Sequence, residues 1–448
     1  MRAEGLPRQG LSDELREYGY VFSAKKSVFL YSFAAAAMLL LGRFFSLPIF
    51  YRLILVCALV IILPFFIRNA AKNRFIQQRF SDTSIYIEQF LYSFKRSKKI
   101  LSALCDVNCL FEGGRMKNAI SRAIDHIRHT YNEADVESHA LSIIEKEHPG
   151  RVIKMVHRFA LDAEKLGGNC DDQILLLLNY RRMMADRIYE LLLKKRRERR
   201  NVFFSIASSL ILCSGIYFIS GRLNVDISKN ALGNIVTTAV LVFDLFIFYR
   251  ADSFLSASDE EEKEEDDEME EVYKRMLSCN TKLPLDLLKR HAAKKRVKRA
   301  IERDYPIWLL ETSLLIQNEN VQVAITKSYA NAPPVLRIPL KKLIYDLKMD
   351  PDKVEPYLSF LSEFSLPEVR SSMKMLYSLS IGAGGDASAQ ITDIIRRNQL
   401  LFERSERSSQ EDRLSRLYAL FLLPQLSGGL KLICDMLLLF FGCVSSLG

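Results

Sequence analysis

The chain carries one short signature twice, 222 residues apart. Arg68-Asn-Ala-Ala-Lys72-Asn-Arg74 follows an apolar stretch, and Arg290-His-Ala-Ala-Lys294-Lys-Arg296 opens a second segment. At that offset six of the fifteen positions from 68 to 82 are identical, Arg68/Arg290 and Asp82/Asp304 at the ends. Ile85/Ile307 extends the match, and Tyr86/Trp308 puts an aromatic in both copies. Each copy continues as polar, helix-patterned sequence, meets a Gly-Gly pair and ends at an apolar segment. Self-similarity at long period is a fold-level signal. Here it predicts two equivalent soluble modules hung from one membrane frame.

A chain of 448 residues has room for two or three domains, and the duplication favours two. Very apolar and very charged blocks alternate. The net charge of +10 could point to nucleic acid. The basic residues, however, cluster beside apolar segments instead of interleaving with aromatics, which argues for membrane topology and no nucleic-acid partner. The eight cysteines are scattered. Cys105 and Cys109 lie one helical turn apart, and a zinc site there would need two more ligands, which His126 and His129 could supply. Small buried thiols and surface imidazoles explain these residues better, and no cofactor is expected. With no disulfide framework implied, the soluble modules face a reducing cytosol.

The predicted fold is an all-α membrane protein, with two repeated cytosolic helical-bundle modules on about five transmembrane helices. Residues 1–26 form a charged cytosolic lead-in without a signal peptide's short apolar core. Residues 27–67 read as a transmembrane hairpin that holds Arg43 and Arg52 at its far tip, where long side chains can snorkel. A first module spans 68–201, a transmembrane pair 202–250, an acidic linker 251–288, a second module 289–416 and a last transmembrane segment 417–448. That last segment either crosses once or is a re-entrant hairpin broken at Gly428-Gly429.

Lysine and arginine bias orients the frame. One side holds Lys25, Lys26, Arg68, Lys72, Arg74, Arg250 and the topology-determining cluster Lys194, Lys195, Arg196, Arg197, Arg199 and Arg200. This places both modules in the cytoplasm and the protein in the plasma (inner) membrane, with the lipid bilayer as one partner. Residues 171–200 contain no helix breaker, so a single helix of about 50 residues is expected to run through the third span, about 75 Å long. Between the copies, Asp259–Glu271 holds eleven acids in thirteen residues. It reads as a solvated linker, or as a docking strip for a basic surface.

Catalytic signatures are missing. There is no phosphate-binding loop, no zinc-protease helix and no nucleophile elbow, so the chain is not expected to be an enzyme. Charged residues inside spans remain, because burying an ion in lipid is costly unless it is paired. Lys431 and Asp435 are spaced i,i+4 and can pair along one helix face. Asp244 could sit at the cytoplasmic interface or bind a partner span.

The ordered set of paired spans, basic exit, helical module, glycine-bearing turn, long helix and further span resembles the F-domain family. These are the platform proteins of type II secretion, type IV pili and Tad/Flp pili. Ala163-Glu164-Lys-Leu-Gly167-Gly168 is similar to the family's turn before its last cytosolic helix. Gly382-Ala-Gly384-Gly385 holds the equivalent place in the second copy, with Ile381 where Glu164 stands in the first. The family often has a glycine before the module's second helix, where this chain has Ser97-Lys98-Lys99 and Asn320-Val321. The double module resembles secretion and type IV pilus members, and the preceding hairpin resembles the Tad branch.

This resemblance implies a double-module, Tad-like platform that couples a cytosolic secretion ATPase to insertion or extraction of pilin-like subunits. It implies contacts with other membrane platform components and a homo-oligomer, with pilin spans packing near Asp244 and Asp435. The competing readings are a small-solute transporter and a membrane scaffold without a motor. A transporter would place its polar groups around a midplane cavity.

Overall fold

The computed structural model describes residues 24–130, 135–167, 170–222, 230–256, 269–277, 284–317, 319–382, 393, 418, 420–441 and 444. No strand occurs among these described residues. The chain divides into two compact units, Met1–Ala257 with Ser415–Gly448, and Ser258–Leu414.

The first unit opens on a hairpin of α1 (Ala24–Phe44) and α2 (Ile49–Ser97). Pro48 marks the turn, since it has no N–H to give and its fixed φ presets the first turn of α2. Arg43 lies in the last turn of α1, and Arg52 near the start of α2 folds back to donate from Nε to Leu47 O at 2.6 Å. Gly42 makes room for that side chain, since a Cβ there would stand 2.8 Å from Arg52 Cγ.

Helix α2 does not stop where its apolar half ends. It runs for 49 residues, about 74 Å, and its second half forms part of a helical bundle. That bundle adds α3 (Ile100–Asn108), α4 (Arg115–His129), α5 (Val136–Glu147) and α6 (Arg151–Leu166). Then α7 (Asp171–Arg222) runs unbroken for 52 residues, about 78 Å, and α8 (Ala231–Ser256) follows. The C-terminal helix Leu420–Phe441 belongs to this same unit.

Periodicity explains the bundle core. Tyr86, Phe90 and Phe94 are spaced i,i+4 and stack with ring centroids 5.6 and 6.0 Å apart. Ile100, Leu104 and Val107 of α3 and Ile153, Val156 and Ala160 of α6 are buried in the same bundle. Burying each large apolar side chain contributes about 1.5–3 kcal/mol. His157 is buried among these rings with both nitrogens satisfied, Nε2 by Tyr86 OH at 2.8 Å and Nδ1 by Glu145 Oε1 at 2.9 Å.

The second unit contains α9 (269–277), α10 (Pro284–Ile316), α11 (Val321–Ser328), α12 (Pro334–Met349), α13 (Glu355–Ser359) and α14 (Pro367–Ser380). Prolines sit in the first turn of α12, α13 and α14, where a missing N–H costs nothing. Trp308 is fully buried against Tyr305 and Phe360, and its indole donates to Ser328 Oγ at 2.9 Å.

Helix α9 requires a correction to the expected linker 251–288. Its Met269, Tyr273 and Met276 enter the core of the second unit, and Tyr273 OH donates to Glu363 Oε1 at 2.5 Å. The acidic density of the preceding run hides this helix-period triplet. A second correction concerns α8, which extends past the expected boundary at 250 as far as Ser256.

Three helices are long and apolar enough to cross a membrane among the described residues: Ile49–Ser97, Ala231–Ser256 and Leu420–Phe441. The apolar run Val28–Phe44 of α1 is shorter. The C-terminal helix continues straight through Gly428 and Gly429, so it is not a hairpin broken there.

Candidate functional site

Polar and ionisable side chains converge where α7, α8, the hairpin tip and the C-terminal helix meet. Small residues allow that approach. At Gly428 a Cβ would lie 2.3 Å from Ser209 Oγ and 3.2 Å from its Cβ, so a side chain there would force Ser209 to move. Ser205 Oγ donates to Phe421 O at 2.7 Å, and Cys213 Sγ lies 3.8 Å from Gly428 O. These contacts climb in the same order on both helices, so α7 and the C-terminal helix run parallel.

The three intramembrane charges singled out in the sequence all turn inward here. Lys431 and Asp435 are an ion pair with side-chain exposures of 1% and 0%. The Lys431 ammonium also lies 5.8 Å from the centre of the Phe45 ring. Asp244 is 3% exposed, and its Oδ1 lies 3.1 Å from Ser427 Oγ, a hydroxyl that also reaches Pro424 O at 2.9 Å. Asp244 therefore binds another span of its own chain. Asp435 is likewise closed off, at 0% exposure. Asp435 Oδ1 and Asp244 Oδ2 have no hydrogen-bond partner among the described residues.

A second polar belt lies where α2, α7 and α8 pass from apolar to charged sequence. Arg199 pairs with Asp252 at 2.7 Å, Asn69 Nδ2 donates to Asp252 Oδ2 at 3.0 Å, and Asn73 Nδ2 donates to Ser256 Oγ at 2.8 Å. Three helices are thus tied through side chains 183 residues apart for the asparagine contacts. Of the basic cluster, Arg196, Arg197, Arg199 and Arg200 are exposed and Lys194 and Lys195 half-buried. Helix α7 carries all six without a break into its apolar end.

The glycine-bearing turn has a structural task. Gly167 has φ +69°, a left-handed conformation that favours glycine, and it ends α6. One turn earlier, Glu164 Oε2 accepts from the backbone N–H of Ile100 at 2.9 Å, and its Oε1 lies 3.2 Å from Lys99 Nζ. Glu164 therefore caps the N-terminus of α3 from 64 residues away. Lys98, which ends α2, has φ +52°. Gly168, Gly384 and Gly385 lie outside the described residues. In the second unit, the described left-handed glycine is Gly382, at φ +65°.

Sequence reading missed Ser427, Ser209, Gly428, Asn69, Asn73 and Asp252. The usable signal was small and polar residues recurring at helical spacing inside apolar segments, as in Ser205, Ser209 and Cys213. Comparison with family models, curated proteins and solved structures gives no match for this chain.

Proposed function

We propose that the chain is a non-enzymatic inner-membrane platform of a type II secretion, type IV pilus or Tad pilus-like machine. In this reading it couples a separate cytosolic ATPase to insertion or extraction of pilin-like subunits, assembled with further platform components or copies of itself. The observation that carries the reading is helix continuity. Helices α2 and α7 are each a single element from apolar segment to soluble bundle, so displacement of the bundle reaches the membrane without a flexible joint. The Arg199–Asp252–Asn69 belt braces both rods against α8 at the point where they enter.

The proposed frame has five spans, from α1, α2, the apolar end of α7, α8 and the C-terminal helix. The parallel course of α7 and the C-terminal helix supports it. The proposed duplication draws support from burial register. Tyr86, Ile87, Phe90 and Leu91 are buried in α2, and Trp308, Leu309, Thr312 and Ser313, each 222 positions on, are buried in α10. The next helices repeat the pattern, with Ile100, Ala103 and Leu104 in α3 and Val321, Ala324 and Ile325 in α11.

The test is a flexible break in one rod. Gly-Gly-Ser-Gly inserted after Asn201 should abolish filament assembly or secretion, while protein level and ATPase recruitment persist. Full activity with the insert would reduce the protein to a passive anchor.

A further inference from the structure

The charges buried at the membrane end of the first unit do not cancel. Lys431 is paired with Asp435, and that pair is self-neutralised. Asp244 has no ion-pair partner among the described residues; a hydroxyl meets its Oδ1, and its Oδ2 is unpartnered. Water does not reach it, at 3% exposure. The groups facing this region are Cys213, Ser205 and Ser209 from α7, Phe45 from the hairpin tip, and Ser427, Lys431 and Asp435 from the C-terminal helix. On α8 itself, the Thr237 and Thr238 hydroxyls donate back to Gly233 O and Asn234 O at 2.7 and 2.8 Å. Two buried carboxyls thus stand against one ammonium, and Asp435 holds it. An isolated buried carboxylate takes up a cation instead of keeping its charge.

We propose that Asp244 is an intramembrane proton-binding site, holding one proton in the resting protein. A proton suits the geometry better than a metal cation. It needs one lone pair, whereas sodium needs several oxygens to replace its hydration shell, and the contacts at this point are the Asp244 carboxyl with Ser427 Oγ and that hydroxyl with Pro424 O. With the proton on Oδ1, the carboxyl donates to Ser427 Oγ, whose own hydrogen goes to Pro424 O at 2.9 Å.

Release of the proton would leave a second carboxylate to compete for Lys431, which lies one helical turn from Ser427. The Gly428–Ser209 contact leaves the C-terminal helix no slack against α7, so proton occupancy sets how that helix packs. This inference rests on the buried charges alone and stands apart from the platform reading.

Infrared spectroscopy of the full chain in lipid nanodiscs tests it. The wild type should show the carbonyl stretch of a protonated carboxylic acid at neutral pH, shifted in deuterium oxide and lost on alkaline titration. Asp244→Asn should lose that band and keep the wild-type unfolding midpoint, because an amide reproduces the neutral acid. Cys213→Ser should leave the band in place. The proposal fails if the wild type lacks the band, a result independent of how any variant folds. It also fails if the band survives in folded Asp244→Asn, or if replacing potassium by sodium at constant pH removes it, which would make the site a sodium site.

Discussion

The two units meet one problem, the unsatisfied N–H groups at the start of a short helix, in two ways. In the first unit the start of α3 is capped by Glu164, which reaches it from the end of α6. In the second, Asn320 caps α11 locally, its side chain accepting from Val323 N at 2.8 Å. The distant cap ties the last short helix of the bundle to its second helix, so the first unit closes on itself. A local cap asks nothing of the rest of the chain. The second unit therefore needs no carboxylate from elsewhere at the start of α11. It also uses a different closure, laying α9 over its core through Tyr273 and Glu363.

The units differ as well in what they bury. The first buries His148 and His157, and the only histidine in the second unit is His291, which is exposed. Burial, reinforced by the nearby Arg79, pushes the His148 ring down from 6.5 to about 4. Burial also lowers His157, against the opposing pull of Glu145. An unfolded histidine takes up a proton near 6.5 and the folded rings resist it, so the unfolded state binds more protons below that value. Stability of the first unit should therefore fall as pH drops from 6.5 to about 4, then level off with respect to His148. The fall should be roughly 2 kcal/mol for this ring after allowing for solvent at its edge. This is the largest expected contrast. Proteolysis of the full chain should show the first unit opening at acid pH before the second, and His148→Gln should reduce the difference. Equal acid sensitivity of both units would remove the contrast.

The capping difference comes next in size. Glu164→Ala should cost about 1–2 kcal/mol and Asn320→Ala about 1 kcal/mol. Their footprints should differ more than their magnitudes. By hydrogen exchange, Glu164→Ala should expose amides at both 98–104 and 160–167, because one side chain holds both segments. Asn320→Ala should affect only 320–326. Unchanged exchange at 160–167 in Glu164→Ala would mean that the carboxylate caps α3 without closing the bundle.

Much of the fold was legible because it rests on periodicity. The all-helical class, the unbroken helix through 171–200 and the buried faces at 86–94 and 308–316 follow from apolar spacing alone. The i,i+4 pairing of Lys431 with Asp435 was legible for the same reason. What escaped depends on contacts between distant residues. Ser427 is 183 positions from Asp244, and nothing in either neighbourhood announces the other. Glu164 stood out only as part of a turn, since the N–H it caps carries no sequence signal. Tyr273 was hidden for a different reason, in that a dense run of acids beside it outweighed three correctly spaced apolar residues.

The smallest expected effect has the opposite sign and tests the comparison most directly. Lys98 ends α2 with φ +52°, its N–H bonded to Phe94 O at 2.7 Å. A left-handed conformation costs a side-chain-bearing residue about 1–2 kcal/mol. Glycine removes that cost but adds about 0.5–1 kcal/mol of unfolded-state entropy. The balance for Lys98→Gly is a gain of about 0.5–1 kcal/mol, read as a higher denaturant midpoint with unchanged slope. Asn320 stands at the matching point of the second unit with φ −68°, which glycine does not improve, and its side chain is the cap. Asn320→Gly should therefore lower stability by a few tenths of a kcal/mol. Opposite signs at these two positions would show that one junction is built on a strained backbone and the other on a side-chain hydrogen bond. A loss at both would mean that Lys98 is held by contacts of its side chain that outweigh the strain of its backbone.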